Sequence, residues 1–223
     1  DLADATGVVV CGGFSYGDYI RAGRLAKFSP AVMALKEYVK AKRGFVVGIC
    51  NGFQLLVKTG LLPGLKGNYD TQTVTLTFND AGRFEDRWVY LKGNQFSRCI
   101  FTKDIDTIYL PVRHGEGKLV VDTQETLGQM RKNGHIVMQY CDEKGRVTPE
   151  YPYNPNGSID SAAGLCDETG RIFGLMPHPE AFIHQTQHPR WTREQVGEGG
   201  DGLRIFQNAF KYVIENQPGG IVR

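Results

Sequence analysis

Apolar positions in the first sixty residues alternate between two arrangements. In "GVVVCGG" (residues 7–13) they form an unbroken β-branched run that two glycines stop, whereas in "SPAVMALKEYVKAK" (29–42) they recur every three or four positions behind a Ser-Pro start. The first arrangement predicts a buried strand and the second a helix. "GFVVGIC" (44–50) is another buried-strand run, and in "NGFQLLVKTG" (51–60) Phe53, Leu56 and Val57 fall at helical spacing before Gly60 and Pro63 end the segment. Strand, helix and strand in succession predict parallel pairing, because a chain that returns through a helix lays its next strand in the same direction.

The pattern then changes. "TVTLTF", "RWVYLKG", "TIYLPVRHG", "KLVV" and "HIVMQYC" read as short strands divided by Gly, Asn and Asp. "SAAGLCDETGRIFGLMPHPE" (161–180) predicts a hairpin turning at Glu168 to Gly170. "DGLRIFQNAFKYVIEN" (201–216) predicts an amphipathic helix with Asp201 as N-cap and Leu203, Phe206, Phe210 and Val213 on one face. "KGNYDTQ", "VTPEYPYNPNGS" and "HQTQHPRWTREQVGEGG" are the expected exposed loops, and no internal repeat or low-complexity tract is present. The expected fold class is α/β, in one domain spanning 1–223.

Composition narrows the function classes. With 223 residues, 41% hydrophobic and 22% charged, the chain is an ordinary globular sequence. Its formal charge of +2 comes from Lys and Arg scattered along the sequence rather than gathered in a stripe, which argues against nucleic acid as substrate. No run approaches the roughly 18 apolar residues of a membrane span, and no charged-then-apolar leader is present, so a soluble, cytoplasmic protein without a membrane partner is expected. The five cysteines, Cys11, Cys50, Cys99, Cys141 and Cys166, lack C-x-x-C spacing and scaffold density, so reduced thiols are expected, at most one or two of them chemically special.

Cys50 is the first candidate. In Gly48-Ile49-Cys50-Asn51-Gly52 the flanking glycines let a strand turn sharply into a helix, holding the sulfur above the sheet with a helix N-terminus behind it that favours an anion. The alternative is a buried structural cysteine beside a tight turn. A thiol nucleophile needs a base and the base needs an orienting group. His178 in "LMPHPE" ends an apolar run, and Glu180 two positions later falls on the same side of an extended chain, where it would steady the ring. Backbone N–H groups for an oxyanion could come from Asn51 and from the Gly12-Gly13 turn, which parallel pairing would bring to the same sheet edge as Cys50.

"GGFSYGDYIRAG", "GICNGFQLL", "RHGEGK" and "GLMPHPE", in this order, resemble the triad (class I) glutamine amidotransferases, and among them the glutaminases that serve the amidine-forming step of purine biosynthesis. The similarity runs from about Gly7 to the C-terminal helix. It implies a flavodoxin-like α/β fold with a central, largely parallel sheet flanked by helices and an added antiparallel part. It also implies a strand, helix and strand upstream of Asp1 that this chain lacks, with poor solubility or low activity as the expected consequence.

By resemblance, Cys50, His178 and Glu180 form the triad that hydrolyses glutamine through a glutamyl thioester. Gly13 and Asn51 supply the oxyanion hole, and Gln54, His114, Gly115 and Glu116 contact the substrate. Ammonia would pass to a synthetase subunit that carries ATP and Mg, with a small accessory subunit in the same complex, while this chain needs no cofactor or metal. No G-x-x-x-x-G-K-[ST] loop is present, in keeping with ATP binding elsewhere.

His184 and His188 have the i, i+4 spacing of a helical metal pair, but Pro189 and the absence of a third nearby ligand favour a solvent or partner-contacting loop. "NPNGS" (154–158) reads as a turn. Two rival readings stand at this stage: a cysteine peptidase or γ-glutamyl hydrolase on a related sheet, and a non-catalytic subunit that kept the fold. Gln54 together with the other motifs weighs against the first, and the intact set of Cys50, His178 and Glu180 against the second.

Overall fold

Strand β1 (Gly7–Val10) pairs in parallel with β2 (Phe45–Ile49), Val10 lying beside Gly48, as the strand and helix alternation predicts. The coordinates are a computed structural model describing residues 2, 4–41, 44–194 and 197–216. The last residue of the helix expected over 29–42 and residues 195 and 196 of the loop 184–200 therefore lie outside the described residues.

Helix α1 (Pro30–Lys40) makes the crossover from β1 to β2. It starts where the sequence predicts: Ser29 Oγ accepts a hydrogen bond from Val32 N at 3.4 Å, and Pro30, whose missing N–H costs nothing at the first turn, follows directly. Val32, Leu35, Tyr38 and Val39 are its buried side. Helix α2 (Asn51–Lys58) begins immediately behind β2 and is buried along Asn51 to Val57.

The other strands are β3 (Val74–Thr77), β4 (Glu85–Gly93), β5 (Thr107–His114), β6 (Lys118–Val121), β7 (Ile136–Cys141), β8 (Ala162–Cys166) and β9 (Ile172–Leu175). Seven of them form one sheet in the order β1-β2-β9-β8-β7-β4-β5, and β3 pairs with β6 in a small antiparallel ribbon. β9 lies parallel to β2 on the side away from β1. From β9 outward every pairing is antiparallel. The parallel portion is thus confined to β1, β2 and β9, a smaller share than the expected largely parallel sheet. The physical reason is connectivity: a parallel neighbour needs a long crossover, whereas a hairpin such as the one closed by Gly170 N donating to Asp167 O gives antiparallel neighbours directly.

Two helices depart from the sequence reading. Helix α3 (Gln124–Lys132) was not expected, because only Leu127 and Met130 supply its apolar face; its signal is the cap, Thr123 Oγ1 accepting from Thr126 N at 3.0 Å. Helix α4 (Leu203–Asn216) was expected, but its buried residues are Ile205 and Ala209, with Phe206 packed at the margin and Phe210 exposed. The Asp201 carboxylate, expected to cap α4, instead accepts from the backbone N–H of Tyr109 at 2.8 Å and so ties the start of the helix to the edge strand β5.

The core is continuous between the sheet and α2, with Phe53, Leu56, Leu91, Phe101, Tyr140 and Phe173 among its fully buried members. All five cysteines are free thiols, Cys11 exposed and the others buried. Among the described residues no helix is long and apolar enough to cross a membrane.

Candidate active site

Cys50 occupies the turn between β2 and α2 with φ 51° and ψ −107°, a conformation costly for a residue with a side chain. Hydrogen bonds on both sides hold it there: its N–H donates to Leu175 O at 2.7 Å, and its carbonyl accepts from Gln54 N at 3.0 Å. The two glycines of the motif have separate reasons. A Cβ at Gly48 would press on the backbone of Gly52 at 2.8 Å, and one at Gly52 would overlap the carbonyl oxygen of Val10. Gly52→Ala is therefore expected to destabilise the fold by about 1–3 kcal/mol and to lower activity with it, because β1 and α2 can no longer approach; a denaturant midpoint equal to that of the parent would contradict this packing account.

His178 follows β9, its backbone N–H donating to Pro111 O at 2.8 Å. Its Nδ1 lies 2.6 Å from Glu180 Oε1. The reach of Glu180 comes from a tight 3₁₀ turn over Pro179–Ala181 rather than from the extended chain that the sequence suggested. His178 Nε2 is buried and engages no partner at hydrogen-bond distance, while the Cys50 thiol lies 3.6 Å from Arg113 O, to which it can donate. Gly12 brings the two catalytic candidates together: a Cβ there would stand 3.1 Å from His178 Cε1 and 3.4 Å from Cys50 Cβ. Burial pulls the His178 imidazole toward its neutral form, but the negative charge of a Cys50 thiolate and of the Glu180 carboxylate outweighs it and raises the pKa to about 9.

These groups open on a cavity of about 460 Å³, lined also by Gly13, Gln54, His114, Gly115 and Glu116. The expected site residues therefore converge, with Asn51 at the first position of α2, where its backbone N–H has no intrahelical acceptor. Gln54 lies one turn further along α2. It is buried, and its Nε2 donates to Glu116 O at 2.6 Å while its Oε1 accepts from Asn51 Nδ2 at 2.9 Å. Both ends of its amide are thus engaged in shaping the pocket.

Several supporting residues were missed from sequence. Asn51 Oδ1 accepts from Ser15 Oγ at 2.6 Å, and Asn51 Nδ2 donates to Asp18 Oδ1 at 3.1 Å, so the loop after β1 is moored to the residue behind the nucleophile. Arg21 Nε lies 2.9 Å from Glu116 Oε2, and its terminal nitrogen donates to Thr77 Oγ1 at 2.8 Å. Spaced polar residues in "GGFSYGDYIRAG" were the available signal, but periodicity does not say which of them turn inward.

Asn79 is a further omission. Its Nδ2 donates to His114 O at 2.8 Å and Arg83 O at 3.0 Å, and its Oδ1 accepts from Gly117 N at 3.0 Å and lies 3.1 Å from His114 Nδ1. One side chain thereby holds both ends of the "HGEG" loop. Burial, reinforced by the charge of His178, pushes the His114 pKa down to about 4, so this imidazole is neutral and presents Nδ1–H to Asn79. Asn79→Ala leaves those backbone groups unpaired in a buried setting, a loss of about 1–3 kcal/mol; a lower melting temperature and a raised KM are expected, and an unchanged KM in steady-state kinetics would show that the loop needs no such clamp.

"NPNGS" is more than a surface turn. Asn154, Asn156 and Ser158 are buried, Asn156 Nδ2 donates to Tyr140 Oη at 3.1 Å, and Ser158 Oγ accepts from Leu119 N at 2.9 Å. The two histidines of the 184–200 loop, which share the i, i+4 spacing, take separate structural roles. His184 closes a small turn with Thr186, while His188 packs into an aromatic cluster with Trp88, Tyr109 and Phe182, anchoring the loop to β4 and β5.

A buried thiol on a strained strand-to-helix turn, with a carboxylate-backed histidine across a narrow glycine, is the kind of arrangement that thiol-dependent acyl transfer requires. Residues 1–213 match the model of the CobB/CobQ-like glutamine amidotransferase domain, and the chain belongs to that family. It is 50% identical over 206 residues to the phosphoribosylformylglycinamidine synthase subunit PurQ of Dehalococcoides mccartyi, covering 90% of this chain and 77% of that one. The subunit of the same name from Archaeoglobus fulgidus is 42% identical over 220 residues, with 92% and 77% covered. A solved structure described as PurLQS from Thermotoga maritima superposes with a TM-score of 0.72 at 29% identity, covering 96% of this chain and 82% of that one.

Proposed function

We infer that the protein is the glutaminase of a phosphoribosylformylglycinamidine synthase, acting in the cytoplasm on glutamine and delivering ammonia to a synthetase subunit. The observation that carries this reading is the cavity shared by Cys50, His178 and the "HGEG" loop, with Glu180 Oε1 2.6 Å from the histidine. The kinship with PurQ subunits supplies the substrate class.

In this reading Cys50 Sγ attacks the carboxamide carbon of glutamine after His178 Nε2 accepts the thiol proton. The oxygen of the tetrahedral adduct, now negative, takes hydrogen bonds from the N–H groups of Gly13 and Asn51, an interaction that strengthens as the charge develops. His178 returns the proton to the leaving nitrogen, the C–N bond breaks, and ammonia departs from a glutamyl thioester. Water then gives a proton to His178 and adds to the thioester carbonyl, glutamate leaves and the thiol is restored. Glu180 holds the ring in the tautomer with Nε2 facing the sulfur throughout. Gln54, His114, Gly115 and Glu116 shape the walls that receive the substrate.

ATP and Mg act on the synthetase partner, which converts formylglycinamide ribonucleotide to the amidine, and a small accessory subunit completes the complex. The test is amidine formation by the reconstituted complex. Cys50→Ser is expected to abolish the glutamine-driven reaction and leave the reaction driven by added ammonium chloride intact. Loss of both would place Cys50 in assembly rather than in chemistry.

A further inference from the structure

The roles assigned so far account for the carboxamide of glutamine and leave its α-ammonium group without a partner. Asp18 lies on the wall of the same cavity as Cys50 and Gln54. Its Oδ1 accepts from Asn51 Nδ2 at 3.1 Å, and among the described residues no Lys, Arg or His pairs with the carboxylate. Arg21, on the same loop, is committed to Glu116 and Thr77. Asp18 also sits at φ 50°, so the loop holds this residue in a backbone conformation it would not choose freely. Burial raises its pKa, the hydrogen bond from Asn51 acts in the opposite direction, and the like charge of Glu116 adds to the rise. A cation arriving beside Asp18 would relieve both unfavourable influences.

We propose that Asp18 receives the α-ammonium group of glutamine and makes the site selective for the amino acid over amides that lack that charge. The proposal rests on the glutaminase reading and adds the residue that orients the substrate's far end. An ammonium donating to a carboxylate is a charge-assisted hydrogen bond, roughly twice as strong as a neutral one. Because Asp18 is bonded to Asn51, the residue directly behind Cys50, the anchor and the thiol hold a fixed separation. Binding at one end would hold the carboxamide within reach of the sulfur at the other, an interaction made alike in the bound and reacting states.

The experiment compares glutamine with glutaramate, which keeps the carboxamide, the chain and the carboxylate but has no amino group, in the intact complex. Wild-type protein is expected to show kcat/KM about 100-fold lower for glutaramate, the scale set by losing one charge-assisted bond. In Asp18→Asn, where asparagine also tolerates the left-handed backbone, KM for glutamine should rise about 30- to 100-fold with a far smaller change in kcat. Glutaramate turnover should be little altered, so the preference collapses to within a few-fold. A wild-type enzyme that used both amides equally well, or a variant that kept the full preference, would overturn the proposal while leaving the glutaminase reading intact. Glutamine turnover that survived Cys50→Ser would instead defeat the underlying reading.

Discussion

Replacing Cys50 with alanine is expected to lower glutamine hydrolysis by about 10⁴-fold or more, because removing a covalent nucleophile removes the whole two-step route and leaves only binding and the oxyanion donors. Stability should change little by comparison. The turn at φ 51° is set by the bonds of Cys50 N to Leu175 O and of Gln54 N to Cys50 O, neither of which uses the side chain. The thiol's own bond, to Arg113 O, is long at 3.6 Å. The check is a paired measurement of ammonia release and melting temperature. Residual activity within tenfold of the parent would mean that another group attacks the substrate, whereas a collapse in melting temperature would mean that the cysteine is structural.

His178→Asn is expected to cost about 10²–10⁴-fold in kcat/KM, the usual contribution of a positioned acid and base. Glu180→Gln should cost less and also move the pH profile. The His178 pKa stands raised to about 9, burial opposing and Cys50 and Glu180 favouring the charged ring. A group whose folded pKa lies above its unfolded value of about 6.5 lends stability that is fully present below that value and disappears as pH rises through the folded value. If the reactive form of the free enzyme pairs a thiolate with a protonated ring, kcat/KM falls on the alkaline side near pH 9, and the limb belongs to the Cys50 and His178 pair rather than to either alone. Removing the Glu180 charge weakens the support for imidazolium, so that limb should shift toward lower pH in Glu180→Gln. A limb that stayed in place, or moved upward, would detach Glu180 from the histidine.

The parts of the fold visible in sequence are those where one strong local rule acts alone. The β-branched runs of β1 and β2 and the Ser-Pro start of α1 left no competing arrangement. The Gly48 and Gly52 pair marked the Cys50 turn because each glycine answers a steric demand that any Cβ would violate. α3 escaped because two apolar residues make too narrow a stripe to register as periodic. On α4 the buried side is centred on Ile205 and Ala209, one position away from the stripe of Phe206 and Phe210 that helical spacing marks.

The site divides in the same way. Cys50, His178 and Glu180 were readable because their chemistry and their local geometry agree within a few residues of sequence. Asn79, Asp18 and Arg21 act across long separations, Arg21 reaching Glu116 and Asn79 reaching His114 and Gly117, and each depends on loops meeting in space. An isolated Asn or Asp in a loop carries the same sequence signal whether it turns inward or faces water. The buried Asn154, Asn156 and Ser158 show how easily a polar turn motif conceals a hydrogen-bonded hub.

The most direct test of the central claim is a peptide-mapped mass spectrum after reaction with 6-diazo-5-oxo-norleucine, a reactive glutamine analogue, with and without the synthetase partner. One adduct on Cys50, prevented by excess glutamine and absent in Cys50→Ser, is the result expected from a thiol at the floor of a glutamine pocket. Labelling of the exposed Cys11 in its place, or no adduct on Cys50 even in the complete complex, would contradict the account.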